Sequence, residues 1–259
     1  YGRNIMSSFH GLWSLGGFSG GIIGAVFANT LLPIEVHFGT VLVMSLLIIT
    51  IGFRYLIDDA TAKAEEEDVQ KFSFKTIDPI LFLLGLMGFA GMFCEGTVYD
   101  WSSVYFSSVV KPDEAFIRAG YVAGMGAMTL GRFMADGFVT KYGPARVLKV
   151  CGGLILGGLW LAAALPYLIP ATLGFLLVGF GISSSVPICY SIAGKLETIK
   201  ASIAITIVSS ISFFGFLVGP PVIGWLAEAT GLRIAISIAA CLGLMIAFFA
   251  AKVGKRISI

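Results

Sequence analysis

Long apolar runs alternate with short polar connections along nearly the whole chain. Eight runs stand out, at about 9–31, 37–57, 79–109, 115–139, 147–168, 171–193, 202–226 and 232–252. Each is long enough to cross a hydrocarbon core about 30 Å thick at roughly 1.5 Å per helical residue. None shows the two-residue alternation of a barrel strand. The runs therefore read as helices, which satisfy their backbone groups internally when lipid offers no partner. The pattern predicts an all-α polytopic membrane protein with eight spans.

One interruption is long. Residues 58–78, DDATAKAEEEDVQKFSFKTID, mix both charges and have the composition of a solvated linker; the acidic run Glu65 to Asp68 reads as a water-facing surface. Asp78-Pro79 then reads as an N-cap followed by proline at the first helical position, opening the third span. Two spans precede the linker and six follow it. The expected division is residues 1–57 as the last two helices of an N-terminal bundle, 58–78 as a cytoplasmic linker and 79–259 as a C-terminal six-helix bundle. The chain opens on Tyr1, and its first residues read as a loop between helices. The expectation is of a piece whose first four helices lie outside it. Gly20-Gly21-Ile22-Ile23-Gly24-Ala25 and Pro220-Pro221-Val222-Ile223-Gly224-Trp225 form a weak internal repeat. Gly16, Gly20 and Gly24, four apart, predict a bare helix face for close packing.

Composition agrees. A mean hydropathy of +0.94, with 57% hydrophobic and 12% charged residues, leaves too few charges to cover a water-soluble fold. The charges that exist are sorted by side. With both chain ends in the cytoplasm, that side collects Arg3, Arg54, Lys63, Lys71, Lys75, Arg132, Lys141, Arg146, Lys149, Lys195, Lys200, Lys252, Lys255 and Arg256. Of the 17 Lys and Arg residues, only Lys111, Arg118 and Arg233 fall opposite. This asymmetry predicts a multi-pass inner (plasma) membrane protein with a cytoplasmic C-terminus. The net charge of +2 then serves orientation and not nucleic-acid binding. Cys94, Cys151, Cys189 and Cys241 stand singly within spans and read as apolar packers, without metal or disulfide spacing. No cofactor is expected. No G-x-x-x-x-G-K loop marks a primary pump.

Residues 131–146, GRFMADGFVTKYGPAR, close the fourth span and open a cytoplasmic turn. This stretch resembles the major facilitator superfamily, whose halves each carry a loop of the type G-(R)-x-x-x-D … (R/K)-x-G-(x)-x-R between their second and third helices. Gly131, Arg132, Asp136, Lys141, Gly143 and Arg146 occupy the matching positions. CEGTVYDWSSVYF, at 94–106, is similar to a bacterial branch related to sugar permeases of the fucose-permease type. The resemblance covers essentially the whole chain, as helices five to twelve of twelve. It implies helical bundles around a midplane site, a monomer once complete, and a gating role for the six loop residues. Where the family often carries a basic residue after the loop aspartate, this chain has Gly137.

The loop also has its own physics. Asp136 near a helix C-terminus is disfavoured by the macrodipole and needs a cation or a neighbouring helix N-terminus. Arg132 lies one turn earlier on the same face, and Lys141 and Arg146 follow. Such a cluster works either as a latch that forms in one conformation or as a plain anchor at the headgroups.

Glu95 is the main candidate for chemistry inside the membrane. It lies about 24 Å along its helix from Pro79. A carboxylate facing lipid there costs at least about 2.5–3.5 kcal/mol, so it should face a partner or a wet cavity, where it could exchange a proton. Gly88, Gly91, Glu95, Tyr99 and Ser102 form one stripe at helical spacing. Asp100 lies about 140° round the helix from Glu95, so the two cannot act as a close dyad. Asp100 reads either as the cap of a break at Gly96-Thr97 or as a substrate contact, and Trp101 as an interfacial anchor or a substrate contact. His10 and Trp13 open the first span with Ser7, Ser8 and Ser14; His10 reads as a wet interface residue or a proton relay. His37, beside Glu35, falls in a short outer loop.

Three further stripes suit a cavity lining. They run Tyr121, Met125, Met128, Arg132; Gly179, Ser183, Pro187, Tyr190, with a kink expected at Pro187; and Ser202, Thr206, Ser209, Phe213. Serines and threonines in such helices often bond their own backbone, so each alone carries little weight.

The resulting expectation is a secondary active transporter working by alternating access, a symporter driven by protons through Glu95. Its substrate would be a small polar organic molecule, with sugars favoured by the resemblance and drugs or metabolites behind; its partners are that substrate, the proton and the bilayer. The rival expectation is a polytopic membrane enzyme acting on lipid-linked substrates, which needs a catalytic cluster at an interface; no HxxxD or Ser/His/Asp cluster stands out. A channel would need a filter-like segment, and none is apparent.

Overall fold

A computed structural model of the chain describes residues 6–28, 32–55 and 78–256. The expected linker, except Asp78, lies outside the described residues, as do Arg3, Lys63, Lys71 and Lys75. All described regular structure is helical. Among the described residues, eight long helices follow in order: α1 (Met6–Ala28), α2 (Ile34–Phe53), α3 (Pro79–Tyr105), α4 (Ala119–Tyr142), α5 (Pro144–Ala164), α6 (Leu168–Ala193), α7 (Ala201–Thr230) and α8 (Leu232–Arg256). A π turn, Phe106–Val110, and a 3-10 turn, Glu114–Phe116, join α3 to α4. Among the described residues, α2, α3, α5, α6, α7 and α8 are long and apolar enough to cross a membrane. In α4 the apolar run is broken by Arg132, Asp136 and Lys141.

The chain divides into two compact units. One runs from Ser19 to Ile77; the other combines the chain up to Phe18 with everything from Asp78 onward. In the first, α2 begins after Pro33 and buries none of its residues. Its Thr40 and Thr50 hydroxyls donate back to the Val36 and Leu46 carbonyls at 2.8 and 2.7 Å, leaving its surface apolar. His37 belongs to the first turn of α2 and not to a loop, with its ring stacked on Phe27 at 4.6 Å.

In the second unit, α3 is the most enclosed element, packed against α6, α7 and α8. Its start follows the sequence: the Asp78 carboxylate accepts from the Ile80 amide at 2.9 Å, and Pro79 fills a position whose N–H would have no helical partner. At Gly88 a Cβ would overlap the Ser212 hydroxyl of α7, so only glycine allows that approach. The break expected at Gly96-Thr97 does not occur, and α3 runs straight through. Gly96 instead faces the part of α7 where Pro220 and Pro221 lack amide hydrogens, which leaves the carbonyls four residues earlier without their helical donors. A Cβ on Gly96 would stand 3.2 Å from the Phe216 carbonyl oxygen and 3.3 Å from the Pro220 ring. Asp100 is exposed and caps no break.

Single residues make the tight corners. Gly143 alone separates α4 from α5, at φ 80° and ψ 153°, with Pro144 opening the next helix. Arg233, at the start of α8, donates to the Ala163 and Ala164 carbonyls, satisfying the C-terminal end of α5. Cys94, Cys151 and Cys189 are buried, whereas Cys241 is exposed on α8. The glycine face expected on α1 is open: a Cβ on Gly16 or Gly20 would meet nothing within 4 Å among the described residues. The close contact falls at Gly11, where a Cβ would stand 3.1 Å from the Phe133 ring of α4. Phase explains the difference, since Gly11 shares its face with Ser7 and Ser14, which are buried, and Gly16 and Gly20 do not.

Candidate functional site

The site is built where α1, α3, α4 and α6 meet. Glu95 of α3 and Arg132 of α4 are both 1% exposed and form an ion pair at 3.1 Å. A single nitrogen, Nη2, donates to both carboxylate oxygens, at 3.2 and 3.1 Å. Nη1 turns to α1, donating to the Ser14 hydroxyl and, at 3.4 Å, to the His10 carbonyl. The Trp13 ring lies 5.6 Å from the guanidinium carbon, within cation–π range. Arg132 Nε is buried without a hydrogen-bond partner. Glu95 thus takes the first of its two expected surroundings, a partner in place of a wet cavity.

Arg132 was expected to cluster with Asp136 in the loop. The structure separates them. Helix α4 runs on to Tyr142, which puts Arg132 about 15 Å from its end and deep among apolar residues. A cation at that depth pairs with the nearby buried acid. Asp136, one turn further out, accepts from the Ser7 amide at 3.3 Å, the Ser8 amide at 2.9 Å and the Ser8 hydroxyl at 2.7 Å. It therefore meets the N-terminus of α1, where free amides and the positive end of the helix favour a carboxylate. Among the described residues Asp136 makes no ion pair. Lys141 lies over the Tyr142 ring at 5.1 Å, and Arg146 is exposed in the first turn of α5. At Gly131 a Cβ would press on Ser183.

The other expected lining residues split by environment. Tyr99 is half-buried, its ring 6.1 Å from Tyr121 and 6.2 Å from Phe216. Tyr190 is buried with its ring 5.7 Å from His10 and its hydroxyl without a partner. The His10 Nδ1 lies 3.0 Å from the Met6 carbonyl, one turn back on its own helix. Ser102 is buried, and its hydroxyl too lacks a partner. These groups gather around the Glu95–Arg132 pair or continue its stripe along α3. Met125 is a core residue, 2% exposed. Trp101 donates from Nε1 to the Pro220 carbonyl at 3.0 Å, holding α3 to α7.

Thr206, Ser209 and Phe213 lie apart, on the open side of α7. Thr206 and Phe213 are exposed; the Thr206 and Ser209 hydroxyls return to the Ser202 and Thr206 carbonyls at 2.8 and 3.1 Å. Ser183 lines a separate cavity of about 550 Å³ between α4, α5 and α6, its hydroxyl donating to the Phe180 carbonyl at 2.7 Å. Sequence reasoning did not single out Ser14 as the Arg132 acceptor, nor Ser7 and Ser8 as donors to Asp136. The available signal was the depth of Arg132: two opposite charges far inside neighbouring spans must find each other.

Known proteins place this arrangement in a family. The family model described as Major Facilitator Superfamily matches residues 4–196. An uncharacterized transporter of Sinorhizobium fredii is 32% identical over 252 residues, covering 96% of this chain and 65% of the relative. An uncharacterized MFS-type transporter of Yersinia pestis is 32% identical over 258 residues, covering 98% and 65%. The chain therefore spans 65% of the length of these relatives. The crystal structure of the E. coli fucose:proton symporter FucP aligns with a TM-score of 0.61 at 19% identity, over 72% of this chain and 47% of that one, a likeness of fold. A family model that runs through the buried pair and the α4–α5 corner, and relatives aligned along almost every residue, lead to one conclusion: this multi-pass membrane chain belongs to the Major Facilitator Superfamily.

Proposed function

We propose that the whole protein is a secondary active transporter that moves a small polar organic solute across the inner membrane by alternating access, coupled to protons through Glu95. The observation that carries this reading is the buried Glu95–Arg132 pair, whose remaining donors reach into α1. An ion pair in a low-dielectric interior gains little over apolar packing, so stability alone is a weak reason for a fold to keep one. Protonating Glu95 would cancel its half of the pair and free Arg132, giving two charge states with different helix contacts.

The names of the relatives support transport, and that of FucP supports a sugar carried with a proton. Residues 79–259 are read as the C-terminal bundle, α1 and α2 as helices of the other, and Gly131, Arg132, Asp136, Lys141, Gly143 and Arg146 as the gating corner. The positive-inside rule puts this corner and the C-terminus in the cytoplasm. Tyr99, Tyr121, Tyr190, Trp13 and His10 are the substrate-side groups closest in character to a hydroxyl-rich ligand.

The test is uptake by full-length protein in sealed vesicles, using labelled monosaccharides beginning with fucose, with and without an imposed pH gradient. Accumulation that follows the gradient and collapses with a protonophore supports the reading. Uptake of a panel member that ignores the gradient removes the proton.

A further inference from the structure

Neither Glu95 nor Arg132 lines the 550 Å³ cavity between α4, α5 and α6, whose chemistry is different. Its size falls in the roughly 300–1,000 Å³ range of pockets that take small ligands. Met134, Phe138, Val150, Leu154 and Phe180 line it, and the two serines at its wall are already bonded, Ser183 to the Phe180 carbonyl and Ser183 and Ser184 to one another at 3.1 Å. Apart from those serines, Tyr142 and Arg146, the lining is apolar. Among the described residues, the only charged one that lines it is Arg146.

Arg146 is oddly placed for stability alone. It sits in the first turn of α5, where the helix macrodipole disfavours a cation, and that turn contains no acidic residue. Lys141 and Lys149 flank it in sequence, both exposed. No Asp or Glu occurs between Asp136 and Glu197. A largely apolar slot between helices thus ends in positive charge that makes no ion pair among the described residues.

We propose that this cavity is a binding site for an anionic phospholipid, with an acyl chain in the slot and the phosphate against Arg146. Basic pockets between membrane helices on the cytoplasmic side suit such headgroups. An acyl chain removes Val150, which is 62% exposed, and Met134, 52% exposed, from the surface, while the phosphate supplies a counter-charge to Arg146, which makes no ion pair among the described residues.

Native mass spectrometry of the full-length protein tests this, with dioleoylphosphatidylglycerol and dioleoylphosphatidylcholine as probes. The wild type is expected to retain phosphatidylglycerol about fivefold better than phosphatidylcholine, the worth of one cation near an anionic headgroup. Arg146→Gln should abolish that preference, and Arg146→Lys should keep most of it. Val150→Trp, at an exposed position, fills the slot and should lower retention of both lipids. The proposal is overturned if the wild type shows no preference, or if the preference survives Arg146→Gln. It is also overturned if Val150→Trp changes nothing, the result expected when another part of the chain fills the slot or the lipid binds elsewhere.

Discussion

Glu95 and Arg132 come from different helices and meet through one guanidinium nitrogen, 3.1 Å from the nearer carboxylate oxygen, with both side chains 1% exposed. Neither charge has another of opposite sign within salt-bridge distance among the described residues. Removing one partner therefore strands the other.

Arg132→Leu should destabilise the protein by about 3–5 kcal/mol, because it leaves Glu95 buried and uncompensated. Glu95→Leu combined with Arg132→Leu should recover most of that loss, since an apolar pair replaces an ionic one at little net cost. Thermal unfolding of purified full-length protein in detergent, run on both single variants and the double, gives the answer. A double variant no more stable than Arg132→Leu alone would show that the pair is not the source of the effect.

Asp136 ties α4 to the start of α1 through two amides and a hydroxyl. Asp136→Ala should cost roughly 0.5–2 kcal/mol, the usual worth of an N-terminal cap. A cysteine placed at Met6 should react faster with a membrane-impermeant maleimide in that background, and Asp136→Asn, which keeps one acceptor oxygen, should fall between. Equal labelling rates in all three proteins would mean that the contact does not hold the end of α1.

Two glycines of the same corner should respond in opposite directions. Gly143 adopts φ 80° with ψ 153°, a region nearly closed to other residues, so Gly143→Ala should cost about 1–3 kcal/mol. Gly137 lies in ordinary helix, and a Cβ there meets nothing within 4 Å, so Gly137→Ala should stabilise by about 0.5–1 kcal/mol. Melting temperatures measured side by side separate the two cases by sign alone.

At Gly88 the constraint comes from a neighbour. Gly88→Ala pushes into the Ser212 hydroxyl and should cost about 1–3 kcal/mol by overpacking. Ser212→Gly should restore most of that stability in the double variant. Monodispersity on size exclusion after heating provides a simple readout, and failure of Ser212→Gly to rescue would place the strain elsewhere.

The helices were legible because lipid allows few alternatives: apolar runs of this length can only be helices, and the Asp78-Pro79 start appears as read. Boundaries slipped where polar residues sit inside helices. α4 runs past Asp136 to Tyr142, so Arg132, taken from its sequence context as a corner residue, is an interior one. The break expected near Gly96 rested on the length of the third span. What shapes that position is the close approach of the Phe216 carbonyl and the Pro220 ring on another helix, and no local pattern reveals which helix will face it. The polar stripe on α7 failed for the reason that makes such stripes weak signals: Thr206 and Ser209 bond their own backbone. Glu95 was legible as needing a partner, but the identity of that partner depended on packing between spans 37 residues apart in sequence.

The central claim is that Glu95 carries the coupled proton. It is tested most directly by comparing gradient-driven accumulation with equilibrium exchange in vesicles bearing the full-length protein, wild type or Glu95→Gln. Glutamine keeps an acceptor for Arg132 and removes the titrating group. The account predicts that Glu95→Gln still exchanges labelled for unlabelled substrate across the membrane but no longer accumulates it when a pH gradient is imposed. Accumulation at the wild-type level in Glu95→Gln, with exchange intact, would contradict it.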